Sequence, residues 1–191
     1  MIAVSGDSEL LSESPLRHYF CTRRIVYMTS LAIRLLVLCV LLWLAVVDVR
    51  IRRLPNGAVL AIGALYFVDA VVVRVPIGEV VLHMVLALGV FVVCAAMFAA
   101  RMLGGGDAKL AAVIFLWVGK DLSWSTLILI SMIGMIVALI SLAARHLTPG
   151  QRSWPMRVLA LFSSIRGVPY GVALAVGGGA MIVLSAALPF S

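Results

Sequence analysis

The sequence predicts an all-α, polytopic membrane protein of about six transmembrane helices. Three observations carry that expectation. Of 191 residues, 64% are hydrophobic and 12% charged, against about 25% charged in a soluble domain. The apolar residues fall in runs near the ~20 residues that cross a bilayer, and the mean hydropathy is +1.19. The basic residues gather in alternate connections between those runs. The length leaves no room for a second sizeable domain. The net charge of +7 reads as arginines in loops on one side of a membrane. No arginine stripe interleaves with aromatics, so nucleic acid is not expected as a partner.

Residues 1–27 are expected to form a polar, then basic, poorly ordered tail, and residues 28–191 the transmembrane domain. The tail does not read as a signal peptide, because no small-residue cleavage site follows the apolar run. Met28 opens the hydrophobic segment and offers an alternative start. The apolar segments cover roughly 28–47, 57–75, 79–100, 107–119, 123–144 and 168–189. The first ends at Asp48 and three arginines. Leu54-Pro55-Asn56 makes the turn into the second, since Pro cannot continue a helix and Asn suits a cap. The fourth is short, and its entry at Gly104–Gly106 is expected to be unwound backbone sheltered by protein. Within the sixth, Gly177-Gly178-Gly179 is expected to let helices pack closely.

If six helices alternate, Arg50, Arg52, Arg53, Arg101, Lys109, Arg145, Arg152, Arg157 and Arg166 share one side. Arg74 and Lys120 lie on the other. The positive-inside rule then puts both Asp48 and Asp107 at the cytoplasmic face and both termini outside. The basic tail runs against this placement.

Asp48 taken alone is an interfacial carboxylate beside arginines, and Asp107 taken alone is a helix N-cap. An N-cap does not require three preceding glycines, however. Such a run can let an extended peptide lie against the chain. Two carboxylates at one depth also form an acid/base pair. Sharing a site, they cannot both ionise easily, so one holds a proton near neutral pH. The ionised one can take a proton from water, and the other can donate to a carbonyl oxygen or a leaving nitrogen. The pair titrates as a unit. Lys109, two positions on, lies about 200° around the helix from Asp107. Its positive charge can still bias the pair or hold a lipid phosphate.

Asp69 and Arg34 lie inside the second and first segments. Arg34 is 14 residues before Asp48 and Asp69 is 13 after Asn56, so both rise about 20 Å from the aspartate end. They are expected to form a structural ion pair. Asp121 reads as a solvated cap. Trp43, Trp117, Trp124 and Trp154 read as interfacial anchors, and the basic stretch 150–157 as a lipid contact. Cys21, Cys39 and Cys94 form no CxxC pair, and His18, His83 and His146 no metal motif. Neither metal nor cofactor is expected.

Asp48 with Arg53-Leu54-Pro55-Asn56, followed by Gly104-Gly105-Gly106-Asp107-Ala108-Lys109-Leu110, resembles the prepilin peptidases, polytopic aspartic proteases of the GxGD type. The short CpaA/TadV-like form of Flp/Tad pilus systems is the most similar group, and Val168-Pro169-Tyr170-Gly171 is similar to it as well. The resemblance spans roughly residues 30–185. It implies that Asp48 and Asp107 are the catalytic pair, with Gly104, Gly105, Gly106, Lys109, Pro55 and Asn56 shaping the site. It implies a bacterial inner-membrane location and, as substrate, the basic leader of a Flp-type prepilin, cut just before the pilin's hydrophobic helix. Membrane lipids are implied partners, and the pilus assembly machinery is admitted as one. Larger members add a domain with paired CxxC motifs and methylate the new N-terminus. This chain has neither the length nor the motifs, so methylation is not carried over.

Two other classes compete: a small transporter using the aspartates as ion sites, and a structural subunit of a pilus or secretion complex using them as caps. Transporters favour midplane sites, whereas Asp48 and Asp107 lie at one edge. A serine protease is disfavoured, since no serine carries a nucleophile motif.

Overall fold

A computed structural model describes residues 13–51, 55–145 and 170–187. Six α-helices account for nearly all of them: α1 (Glu13–Ile51), α2 (Asn56–Val73), α3 (Ile77–Ala99), α4 (Gly105–Val118), α5 (Ser123–Arg145) and α6 (Tyr170–Ala187). Among the described residues the architecture is all-helical, and α1, α2, α3 and α5 each carry a stretch long and apolar enough to cross a membrane. α6 is a shorter apolar helix. This is a membrane protein.

α1 differs from expectation at its start. It begins at Glu13, inside the segment expected to be a poorly ordered tail, and its apolar stretch runs from Arg23 to Asp48. Between Glu13 and Met28 the chain has no glycine, and Pro15 falls in the first turn, where proline is tolerated. The apolar helix therefore continues backwards without a stop signal. Residues 1–12 lie outside the described residues.

Helix α6 packs against α1, α4 and α5. Gly177, Gly178 and Gly179 explain how one helix can serve three neighbours. A Cβ at Gly177 would stand 3.2 Å from the Ile130 Cα of α5. One at Gly178 would stand 2.6 Å from Ile114 Cδ1 of α4, and one at Gly179 2.7 Å from Leu38 Cδ1 of α1. Consecutive positions turn by about 100°, so three glycines admit three neighbours at close range. Around them lies the core: Val37, Leu41 and Leu44 of α1, Ile62 of α2, Leu110 and Ile114 of α4, and Ile182 of α6. α2 lies on α1 and α4, and α3 rests on α4.

The bundle is apolar outside and polar at selected points inside. Ser30, Arg34, Asp48, Asp69, Thr126 and Ser141 are buried. The hydroxyls of Thr126 and Ser141 donate to the carbonyls one turn back, at Leu122 and Val137, both at 2.8 Å. These bonds satisfy polar groups where no water is available. Trp43 and Trp124 are exposed, but Trp117 is not the interfacial anchor its position suggested. It is buried, and its indole Nε1–H donates to the Ile62 carbonyl at 3.0 Å. Four residues of helix still follow the α4 core at Ile114, and packing by α2 closes over the ring. Trp154, His146 and the basic stretch 150–157 lie outside the described residues.

Candidate active site

One end of the bundle collects the C-terminal end of α1, the N-terminus of α2, the α3–α4 turn and the N-terminus of α6. Asp48 lies in the last turn of α1. It is buried, with 8% exposure, because α6 starts directly against it. A Cβ at Gly171 would stand 2.5 Å from Asp48 Oδ2 and 2.7 Å from Cγ. The second residue of α6 therefore has to be glycine for the carboxylate to sit where it does.

Beyond Asp48, Arg50 is exposed. Arg52, Arg53 and Leu54 lie outside the described residues. Pro55 caps α2 with extended backbone, φ −67° and ψ 121°, and makes no side-chain cap bond. The cap carbonyl accepts from Ala58 N–H at 3.1 Å.

The α3–α4 turn is built differently from expectation. Its left-handed residue is Arg101, φ 59°. Gly104 is the N-cap of α4, extended at φ −74° and ψ 140°, and Gly105 and Gly106 are already helical. The glycine run is thus not an unwound segment, and it offers no extended edge for a peptide to pair with. What the run supplies is absence of side chain. A Cβ at Gly104 would stand 2.8 Å from Asp107 Oδ2, and one at Gly105 would stand 3.3 Å from Phe98 Cε2. Helix α3 therefore packs tightly onto the start of α4.

Asp107 is not the N-cap but the third residue of α4. Its carboxylate takes a backbone hydrogen bond at Gly104, the reach-back of a capping box. Asp48 stands near enough for its charge to act on Asp107. The structure thus brings the two carboxylates, 59 positions apart in sequence, into one electrostatic neighbourhood. Close by, Lys109 Nζ donates to Asn56 Oδ1 at 3.0 Å. This bond ties the second turn of α4 to the first residue of α2, so Lys109 is directed at α2 and not at Asp107.

Arg34 and Asp69 are not at this end. They form an ion pair at the other, Arg34 Nη2 to Asp69 Oδ2 at 3.2 Å, both 4% exposed. Arg34 does more than pair. It donates to Ser30 Oγ at 3.3 Å, the Ile182 carbonyl at 3.3 Å and Ser185 Oγ at 2.5 Å. Its guanidinium lies 5.8 Å from the Trp117 ring centre. Residues of α1, α2, α4 and α6 thus meet on one side chain. His83, isolated in sequence, places Nδ1 3.0 Å from the Tyr66 hydroxyl and 3.1 Å from the Leu116 carbonyl. At the same end, exposed Lys120 pairs with Glu79 at 3.7 Å, and Asp121 is exposed.

The family model of the type IV leader peptidases matches residues 35–141. That match spans both aspartates and more than half of the chain. The chain belongs to the type IV leader peptidase family. No curated protein and no solved structure matches it. Family membership makes the chain a peptidase and implies pilin-type substrates.

In the sequence Gly171 belongs to the motif Val168-Pro169-Tyr170-Gly171, which predicts no contact for it. Its place against Asp48 depends on how α6 threads between α1, α4 and α5, which no local pattern encodes. Ser30, Ser185 and Trp117 around Arg34 were missed for the same reason. Ser30 alone carries a local signal, four residues before Arg34 on the same helix face.

Proposed function

We propose that the chain is an aspartic endopeptidase of the bacterial inner membrane that cuts the basic leader of Flp-type prepilins at the cytoplasmic face. The observation that supports this best is the pairing of Asp48 and Asp107 from separate helices at one end of the bundle. One carboxylate takes a proton from water as the water oxygen attacks the scissile carbonyl. The other gives its proton to the leaving nitrogen as the C–N bond breaks. The products are the free leader carboxylate and the new pilin N-terminus. Gly171, having no side chain, leaves the space that the Asp48 carboxylate fills, and the Gly104 backbone holds Asp107. Gly105 lets Phe98 of α3 close on the start of α4, while Pro55, Asn56 and Lys109 form the second wall.

The short CpaA/TadV-like form is the subtype this reading favours, without N-methyltransferase activity. Asp69 is engaged by Arg34 at the far end, which weighs against a transporter using three aspartates as successive ion sites.

The test is co-expression of a prepilin bearing a basic leader with the wild-type chain, Asp48→Asn or Asp107→Asn, each checked for membrane abundance. Wild type should cut, and each variant should lose cleavage by about a hundred- to ten-thousandfold, the range for removing an acid or base. A variant that still cuts at a near-normal rate would reduce that aspartate to a helix-end residue.

A further inference from the structure

Between α2 and α3, over α4, runs a lateral cavity of about 530 Å³ with entirely apolar walls. Phe67 of α2 forms one side and Leu88 and Phe91 of α3 the other, and Ala112, Val113 and Leu116 of α4 form the floor. The floor belongs to the α4 face that starts at Lys109, since positions 109, 112, 113 and 116 fall in helical register. That face is pinned at its top by the Lys109–Asn56 bond, one turn from the catalytic end. α3, 23 residues long, has no buried residue. α3 packs on α4 and meets α2 through His83 and Tyr66; transmembrane helices associate by close packing, so the apolar faces that stay apart around the cavity leave room for a further helix. The cavity's size is that of a binding site, and Ala112 gives a neighbouring backbone room to approach.

From this continuity we infer that the cavity is the docking groove for the apolar helix of the substrate, on the mature side of the scissile bond. The inference rests on the proposed peptidase reading. Ala112 and Leu116 lie five and nine residues past Asp107, about 7 to 14 Å along the helix, and Leu88 lies 11 residues, about 16 Å, from the same end of α3. The α3 wall continues through Val85 and Met84 to Val81, 18 residues or about 27 Å from that end, so a substrate helix that starts at the carboxylates places roughly its fifth to eighteenth residues in the groove. The groove discriminates by shape and apolarity in that window, while the carboxylates act on the bond above it.

The experiment puts a photoreactive amino acid in place of Leu88, in full-length chain carrying Asp107→Asn, within membranes that contain the prepilin. The control site is Met132 of α5, which is comparably exposed at 54% against 62%. Adducts from position 88 should fall on prepilin residues about eight to fourteen past the scissile bond, centred on the depth of Leu88, and position 132 should give few. Adducts of equal strength at 132, or lipid adducts alone at 88, overturn the inference. A second variant, Ala112→Trp in the active chain, should slow cleavage of full-length prepilin at least tenfold. It should spare a peptide that ends two residues past the bond. An equal loss on both substrates, or no loss, overturns the inference. If the wild-type chain cuts prepilin but these results fail, the groove alone is wrong; if wild type cuts no prepilin, the peptidase reading falls and the groove with it.

Discussion

The carboxylate of Asp48 fills a space left by a residue with no side chain. A Cβ at Gly171 would stand 2.5 Å from Oδ2, so Gly171→Ala must displace Asp48 or the start of α6. Misplacing a reacting group by about 1 Å can reduce a rate about a hundredfold. Gly171→Ala should therefore lose about that much cleavage while keeping its abundance and helical content. Gly57→Ala is the matched control, because nothing lies within 4 Å of its added carbon. It should cut at the wild-type rate, measured as the initial velocity on one prepilin preparation. Equal rates for both variants would mean that Asp48 is not held by α6. Lys109 belongs to the same scale. Its bond to Asn56 crosses between helices, so Lys109→Met and Asn56→Leu should each weaken cleavage, and the double variant should fare little worse than either single, since coupled partners are not additive.

Between elements, the bundle is joined at two levels. Near the middle, the three glycines of α6 let three helices close in. Gly178→Ala pushes against Ile114, whose side-chain atoms would lie 2.6 Å away. The strain should lower stability by about 1–3 kcal/mol, read as a shift of the melting midpoint in detergent. Ile114→Val in the same chain should return part of it. At the far end, Arg34 joins α1 to α2, α4 and α6. Asp69→Ala strands a buried guanidinium, a change that typically costs about 3–5 kcal/mol. Exchanging the two charges, Arg34→Asp with Asp69→Arg, restores an ion pair but removes the donor that serves Ser185 and the Ile182 carbonyl. The exchange should therefore recover less than half of the lost stability. Full recovery would show that the pair acts alone, without the contacts to α6.

At the scale of the whole molecule, the predicted sidedness assigns the α3–α4 turn to the cytoplasm and the α4–α5 turn to the opposite face. Met102 is exposed in the first and Asp121 in the second. In a chain with its three cysteines replaced, Asp121→Cys should react with a membrane-impermeant maleimide in intact cells. Met102→Cys should react after lysis alone. The reverse pattern would put both aspartates on the wrong side to meet a cytoplasmic leader.

The residues themselves determined a good deal of this. Six apolar runs with proline, glycine or arginine between them already specify six helices, because in a bilayer each backbone must satisfy its own hydrogen bonds. Asp48 and Asp107 stood out because a carboxylate at the end of an apolar run is expensive. The depth of Arg34 and Asp69 followed from counting 1.5 Å per residue. Other features required the packed molecule. The glycines before Asp107 predict loosened backbone, yet Gly105 and Gly106 are helical, because an absent side chain serves close packing as readily as it serves a turn. Trp117 sat at a helix end in sequence but is enclosed by α2. Gly171 against Asp48, the neighbours of Arg34 and the groove along α3 are contacts between segments far apart in the chain. Periodicity and local propensity act over a few turns of one helix. Which faces of six apolar helices meet depends on shape across the bundle, and the tertiary structure alone decides that.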